Sequence, residues 1–224
     1  MNGLFKILLV VAIGVMGYLC VESIMGPIRF EQEKGIRDKA TIKRLIEIRK
    51  AQEQYRNLNG AYTASFDTLI TFIKTGKLPF VIKEGSLTDV QLEAGLNEKK
   101  ALEIINKGNQ AEIEKNGLTN FRRDTIFVNV GDTIFGRGFV ADSIRFIPFS
   151  AGKSQFEMAT GEVLNASGYV MRLFEAKTPF STYLQGLDKQ EIINLIDKAK
   201  KTDKYPGLQV GSVQEPNNNA GNWE

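Results

Sequence analysis

The chain has 224 residues, 42% of them hydrophobic, with 29 lysines and arginines against 26 acidic residues and a formal net charge of +3. It has no histidine and one cysteine, which excludes histidine-based triads, the commonest transition-metal ligand, an intrachain disulfide and a zinc cluster. The near-balanced charge offers no basic stripe able to neutralise several phosphates, so nucleic acid is not an expected partner.

The first element is apolar. No side chain from Ile7 to Val21 is charged, and with Leu4, Phe5 and the residues up to Met25 the run reaches the ~20 residues that cross a hydrocarbon core. Lys6 and Glu22 stand at its two ends, where charged side chains reach the interface. Cys20 lies inside the run and behaves as a small hydrophobe. Tyr18 and Leu19 before it make a poor lipidation signal, and the run is not succeeded by a small-x-small cleavage site. Residues 1–26 are therefore expected to form a retained single-pass anchor in the cell membrane, with the lipid bilayer as partner. Its orientation has two readings. Arg29, Lys34, Arg37, Lys39, Lys43 and Arg44 lie just beyond the anchor, and the positive-inside rule then favours a cytoplasmic domain. A short basic start before an apolar core instead suits a signal anchor that exports its C-terminal side.

Gly26-Pro27 is expected to interrupt or kink the helix, with Pro27 in the first turn of a new one. An amphipathic neck is expected over residues 27–60, with Ile36, Ile42, Leu45, Ile46, Ile48, Ala51, Tyr55 and Leu58 at helical spacing. Its face from Ile42 onward is expected to pack on the later domain, and its more polar start, through Gly35 and Asp38, to stand clear. Self-association or a protein partner is the other use of such a stripe. From Gly26 to Leu58 there are nine basic and five acidic residues, and Glu31, Glu33, Asp38 and Glu47 blunt attraction to anionic headgroups. Asn57-Leu-Asn-Gly60 supplies the stop.

The apolar helix running into an amphipathic one, then Ile48-Arg-Lys-Ala-Gln-Glu-Gln-Tyr-Arg-Asn-Leu-Asn-Gly-Ala-Tyr62 and a short helix at Ser65-Phe-Asp-Thr-Leu69, resembles type IV pilins and type II secretion pseudopilins. The resemblance covers about the first third of the chain. Leu8 stands where that family keeps a glutamate at the fifth mature position. The resemblance implies a long helix embedded in a sheet domain on the outer, periplasmic side of the cytoplasmic membrane.

The soluble domain is expected over residues 61–214. Ser65 or Asp67 caps a short buried helix ending at Gly76, and Lys77 to Ile82 reads as extended. Thr88-Asp89 begins a second helical stretch, weakly broken at Gly95 and ending near Gly108, and Asn106 to Gly117 reads as a surface excursion. Strands are expected at Thr125–Val130, Ser143–Ile147, Gln155–Ala159, Glu162–Leu164, Tyr169–Ala176 and Leu208–Val213, with Thr160-Gly161 as a hairpin turn and Pro148 and Pro179 at strand ends. Asp188 caps a helix whose apolar face is Ile192, Ile193, Leu195, Ile196 and Ala199. Residues 215–224 are expected to be a flexible tail on which Trp223 can dock.

No residue stands out as catalytic, cofactor-binding or metal-ligating. Gly131-Asp-Thr-Ile-Phe-Gly-Arg-Gly138 lacks the spacing of a phosphate loop and reads as a turn. Asp124, Asp132 and Asp142 lack an EF-hand pattern, and Arg122-Arg123 reads as an exposed strand entry or a contact for an acidic partner. The expected fold class is α+β: a transmembrane helix continued by a long amphipathic helix, then a small antiparallel sheet domain with flanking helices. The expected role is a non-enzymatic structural or interaction component of a cell-envelope assembly, pilin-like in layout. The alternatives are a membrane-tethered ligand-binding module or enzyme, and a cytoplasm-facing, self-associating scaffold.

Overall fold

A computed structural model describes residues 3–150, 154–165 and 167–224, with the side chains of Leu4 and Phe5 outside the description; Met1 and Asn2 of the expected anchor also lie outside it. In chain order the elements are α1 (Gly3–Asn59), α2 (Phe66–Thr75), β1 (Lys77–Glu84), α3 (Asp89–Glu93), α4 (Glu98–Lys107), α5 (Gln110–Lys115), β2 (Arg122–Asn129), α6 (Val130–Phe135), a 3-10 turn (Ala141–Arg145), β3 (Glu157–Leu164), β4 (Val170–Pro179), α7 (Phe180–Tyr183), α8 (Lys189–Lys201) and β5 (Gly207–Gly211). The fold is α+β, as the sequence predicts, but its contacts divide it into two units, residues 1–72 with 140–224, and residues 73–139.

α1 is continuous through Gly26-Pro27, with Pro27 inside it, which corrects the expected break. Proline lacks an N–H and crowds the preceding turn, and Gly26 beside it is a poor helix former, yet long helical stretches run on either side of the pair. Arg29 also pairs with Glu22 across its level. The helix ends where the amide of Gly60 donates to the carbonyl of Arg56 at 2.7 Å, Gly60 having a φ of 76°; only a residue without a Cβ takes that conformation at little cost.

In the first unit, the lower part of α1 lies on β4, β5 and the 3-10 turn. Leu45, Ile48 and Ala51 are fully buried, and each large aliphatic side chain so placed contributes about 1.5–3 kcal/mol by area removed from water. The docked region starts earlier than expected. Phe30 is buried, Arg37 donates to the carbonyls of Tyr183 and Gln185, and the Tyr183 hydroxyl donates to Asp38 at 2.7 Å. The polar start of the neck therefore does not stand clear; periodicity counts apolar residues and overlooks charged ones that reach backbone carbonyls.

The sheet of this unit has the order β3-β4-β5, antiparallel throughout. Thr160-Gly161 lies within β3 rather than in a turn. Gly161 serves close packing there, since a Cβ would come within 3.0 Å of the Val213 carbonyl. The chain reverses after Leu164, where the Asn165 side chain accepts from the amides of Ser167 and Tyr169, a local bond of the kind asparagine favours in turns. The strand expected at Ser143–Ile147 is also corrected. Ser143 donates its hydroxyl and its amide to the Val140 carbonyl, a local alternative to a ladder, and only Phe146 bridges, to Gln155. Asp188 caps α8 as predicted, accepting from the amides of Gln190 and Glu191.

The expected flexible tail is instead pinned. Gly221 bridges to Val210, the Asn222 amide donates to Gln209, and Glu224 pairs with Arg49 of α1 at 2.7 Å. A run of asparagines has no hydrophobic signature, but Asn218 and Asn219 take positive φ and turn the chain back along the edge of β5.

The second unit is a two-stranded antiparallel ribbon, β1-β2, with Phe80 opposite Ile126 and Pro79 opposite Phe127. Gly95, with a φ of 79°, separates α3 from α4 outright, because Asn97 re-initiates the helix by accepting from the Lys100 amide. The expected surface excursion contains α5, whose Ile113 packs with Leu87, Leu96, Leu102, Ile104 and Ile105 around Ala101, Leu118 and Phe121.

Candidate functional site

Among the described residues one helix is long and apolar enough to cross a membrane, at the N-terminus of α1, and its most apolar window is wholly exposed. Ile7, Leu8, Val10, Ile13, Met16, Leu19 and Ile24 each expose more than half their surface. Cys20 is exposed on the same stretch. A row of this kind facing water opposes the hydrophobic effect, whereas hydrocarbon removes the cost.

The features singled out in the sequence have structural occupations. Arg123 is nearly buried and clips the second unit together, donating to the carbonyls of Glu84 and Gly85, pairing with Glu98 at 3.1 Å and lying over the Phe121 ring. It is not a free contact for an acidic partner. Its neighbour Arg122 pairs with Asp124 at 3.0 Å. The glycine-rich stretch after β2 holds α6 rather than a plain turn, capped by Asn129 accepting from the Asp132 amide. No group of three or more cysteine, aspartate or glutamate side chains among the described residues is placed to hold a metal ion.

Several clefts in the first unit carry polar side chains, among them two that differ in how their groups are used; a third, lined by Tyr62, Thr160, Glu162 and Arg172, adjoins the smaller of these two. The larger, about 570 Å³, lies between β5 and the tail and is lined by Glu175, Lys177, Tyr205, Gln209 and Asn222 among others. Several of its polar groups bond one another. Glu175 is held by Lys177 at 2.6 Å and Gln209 at 3.0 Å, Asn222 accepts from the Gln209 amide and donates to the Gly207 carbonyl, and Lys177 lies over the Tyr205 ring. Burial, with Glu157 and Glu175 nearby, pushes the Tyr205 hydroxyl up to about 12. This network fixes the tail, and Asp203, Lys204 and Glu215 also line the cleft.

The smaller cleft, about 240 Å³, sits where α1 ends and is lined by Arg56, Gly60, Tyr62, Val170, Met171, Arg172, Leu173, Pro216, Asn218 and Asn219. Arg172 donates to the Gly60 carbonyl and, through Nε at 3.2 Å, to Glu162. Arg56 donates to the Tyr62 hydroxyl at 3.2 Å and lies over its ring. Sequence reasoning missed this pair because Arg56 and Arg172 are far apart in the chain and meet only through the docking of β4 on the helix end.

Comparison with family models, with curated proteins and with solved structures found no match to this chain.

Proposed function

We propose that the chain is an N-terminally anchored, single-pass membrane protein that holds its α+β units in the extracytoplasmic space as a non-enzymatic structural or interaction component of an envelope assembly, with a layout like that of pilins and pseudopilins. The observation that carries this reading is the single helix Gly3–Asn59, whose first half exposes an apolar surface while its second half is built into the core of the first unit. A helix shared in this way transmits position from bilayer to domain without a flexible joint. In the cleft between β5 and the tail, Glu175, Lys177, Gln209 and Asn222 bond one another or neighbouring backbone, which suits a structural use of that surface.

The cytoplasm-facing scaffold is favoured by one observation, the basic flank after the anchor. In the folded chain Arg29 pairs with Glu22, Lys34 with Asp38 and Glu31, Arg37 with two carbonyls and Arg44 with Glu47, but the rule counts lysines and arginines whatever their acidic neighbours, so the flank still favours that side. Protease added to intact spheroplasts separates the two. Digestion of the region after residue 60 is expected, and full protection until the membrane is breached would sink the extracytoplasmic reading. Crosslinking in native membranes is expected to trap a reproducible partner or a second copy; a strictly monomeric protein would count against an assembly role.

A further inference from the structure

We infer that the cleft between Arg56 and Arg172 is a docking site for a protein partner, and that it takes a carboxylate side chain flanked by an apolar one. This rests on the proposed role as an interaction component and names the surface through which the role is exercised. Arg56 and Arg172 line one cavity with Asn218 and Asn219. Among the described residues Arg56 has a hydroxyl and a ring as partners but no carboxylate, and Arg172 offers Glu162 only its Nε while the Glu162 side chain is 63% exposed. Of the acidic groups nearest the tail, Glu224 pairs with Arg49, while Glu53 accepts from the neutral Asn219 amide and keeps its charge. The lining itself holds two arginines and no acidic residue, and planar guanidinium groups match carboxylates in a fork geometry.

The rim specifies the rest of the ligand. Val170 is 56% exposed beside the arginines, and Leu164 and Tyr169 project at the same hairpin end, 69% and 72% exposed. An apolar surface continuous with a charged cleft suits a peptide better than a bare ion. A headgroup of the anchoring bilayer is out of reach, because the helix from Met25 to its end near Gly60 spans about 50 Å at ~1.5 Å per residue.

The test uses the full chain in nanodiscs and a labelled five-residue peptide alternating phenylalanine and glutamate, compared with its glutamine counterpart. The glutamate peptide is expected to bind about tenfold more tightly and to weaken as salt is raised from about 50 to about 300 mM. Arg56→Gln and Arg172→Lys are each expected to lower its affinity at least about fivefold. Arg172 also supports Gly60, so Arg56→Gln, whose thermal melt should match the parent, keeps the test open if the Arg172 variant unfolds. Equal affinity for the two peptides, no binding up to about 1 mM, or unchanged affinity in a folded Arg56→Gln protein would overturn the inference. Recovery of a crosslinked partner from membranes alongside any of those results leaves the assembly role standing and moves the contact elsewhere.

Discussion

Tyr183 joins the neck helix to the chain segment after β4. It is fully buried, and burial first, then the hydrogen bond to Asp38 and the charge of that carboxylate, push its pKa well above the usual tyrosine range. A tyrosine whose folded pKa lies above the unfolded value of ~10 contributes stability that is fully present below about pH 10 and lost as pH rises toward the folded value. Tyr205, pushed up to about 12, acts in the same direction over the window from about 10 to about 12. The urea midpoint is therefore expected to fall between about pH 9 and about pH 11 in the parent protein, and to fall less in Tyr205→Phe. Tyr183→Phe is expected to cost about 1 kcal/mol at about pH 7, because the half-buried Asp38 carboxylate, also paired with Lys34, loses a donor; equilibrium unfolding of both variants checks this. An alkaline decline that is unchanged in Tyr205→Phe would show that other groups set it.

At the scale of elements, α1 shows what the sequence makes legible and what it does not. The apolar run and the stripe Leu45, Ile48, Ala51 can be read directly, because period and length encode burial. The continuity at Pro27 cannot, since a proline penalty of about 3 kcal/mol is a local term and the rest of a 57-residue helix outweighs it. The same limit explains the 3-10 turn at Ser143 and the merged strand β3: a β-branched run names a strand unless a serine or asparagine side chain captures the backbone first. The Arg56–Arg172 cleft is invisible in the sequence for a different reason, because it is made by tertiary pairing alone. The continuity is open to measurement. Spin labels at Met16 and Lys39, both exposed, are expected to give one narrow distance near ~35 Å at ~1.5 Å per residue, in the parent and in Pro27→Ala alike. A broad or much shorter distribution that narrows only in Pro27→Ala would restore the hinge expected from Gly26-Pro27.

For the whole molecule, the division into two units has a covalent consequence. The second unit is an insertion, residues 73–139, between two segments that both belong to the first. Within the first unit those flanking segments are tied together, because Arg145 of the 3-10 turn pairs with Asp67 of α2. The first unit thus closes on itself without help from the insertion. The insertion has its own cluster around Ala101, Leu118 and Phe121 and its own clip at Arg123. Its last stretch is different in kind: after α6, Gly136 and Gly138 take φ values of 87° and 88° with open space around both, and Arg137 between them is exposed. Exposed backbone with few packed neighbours is where proteases cut first. Trypsin at a low ratio is therefore expected to cleave after Arg137 before any other site, giving two fragments that stay together under native conditions and separate in denaturant. Arg137→Gln is expected to delay the first cut without changing the melting temperature, as mass spectrometry of the early fragments and a thermal melt would show. Early cleavage inside 98–129 instead would mean that the insertion lacks a stable core of its own and that its ribbon is held by something other than the cluster around Phe121.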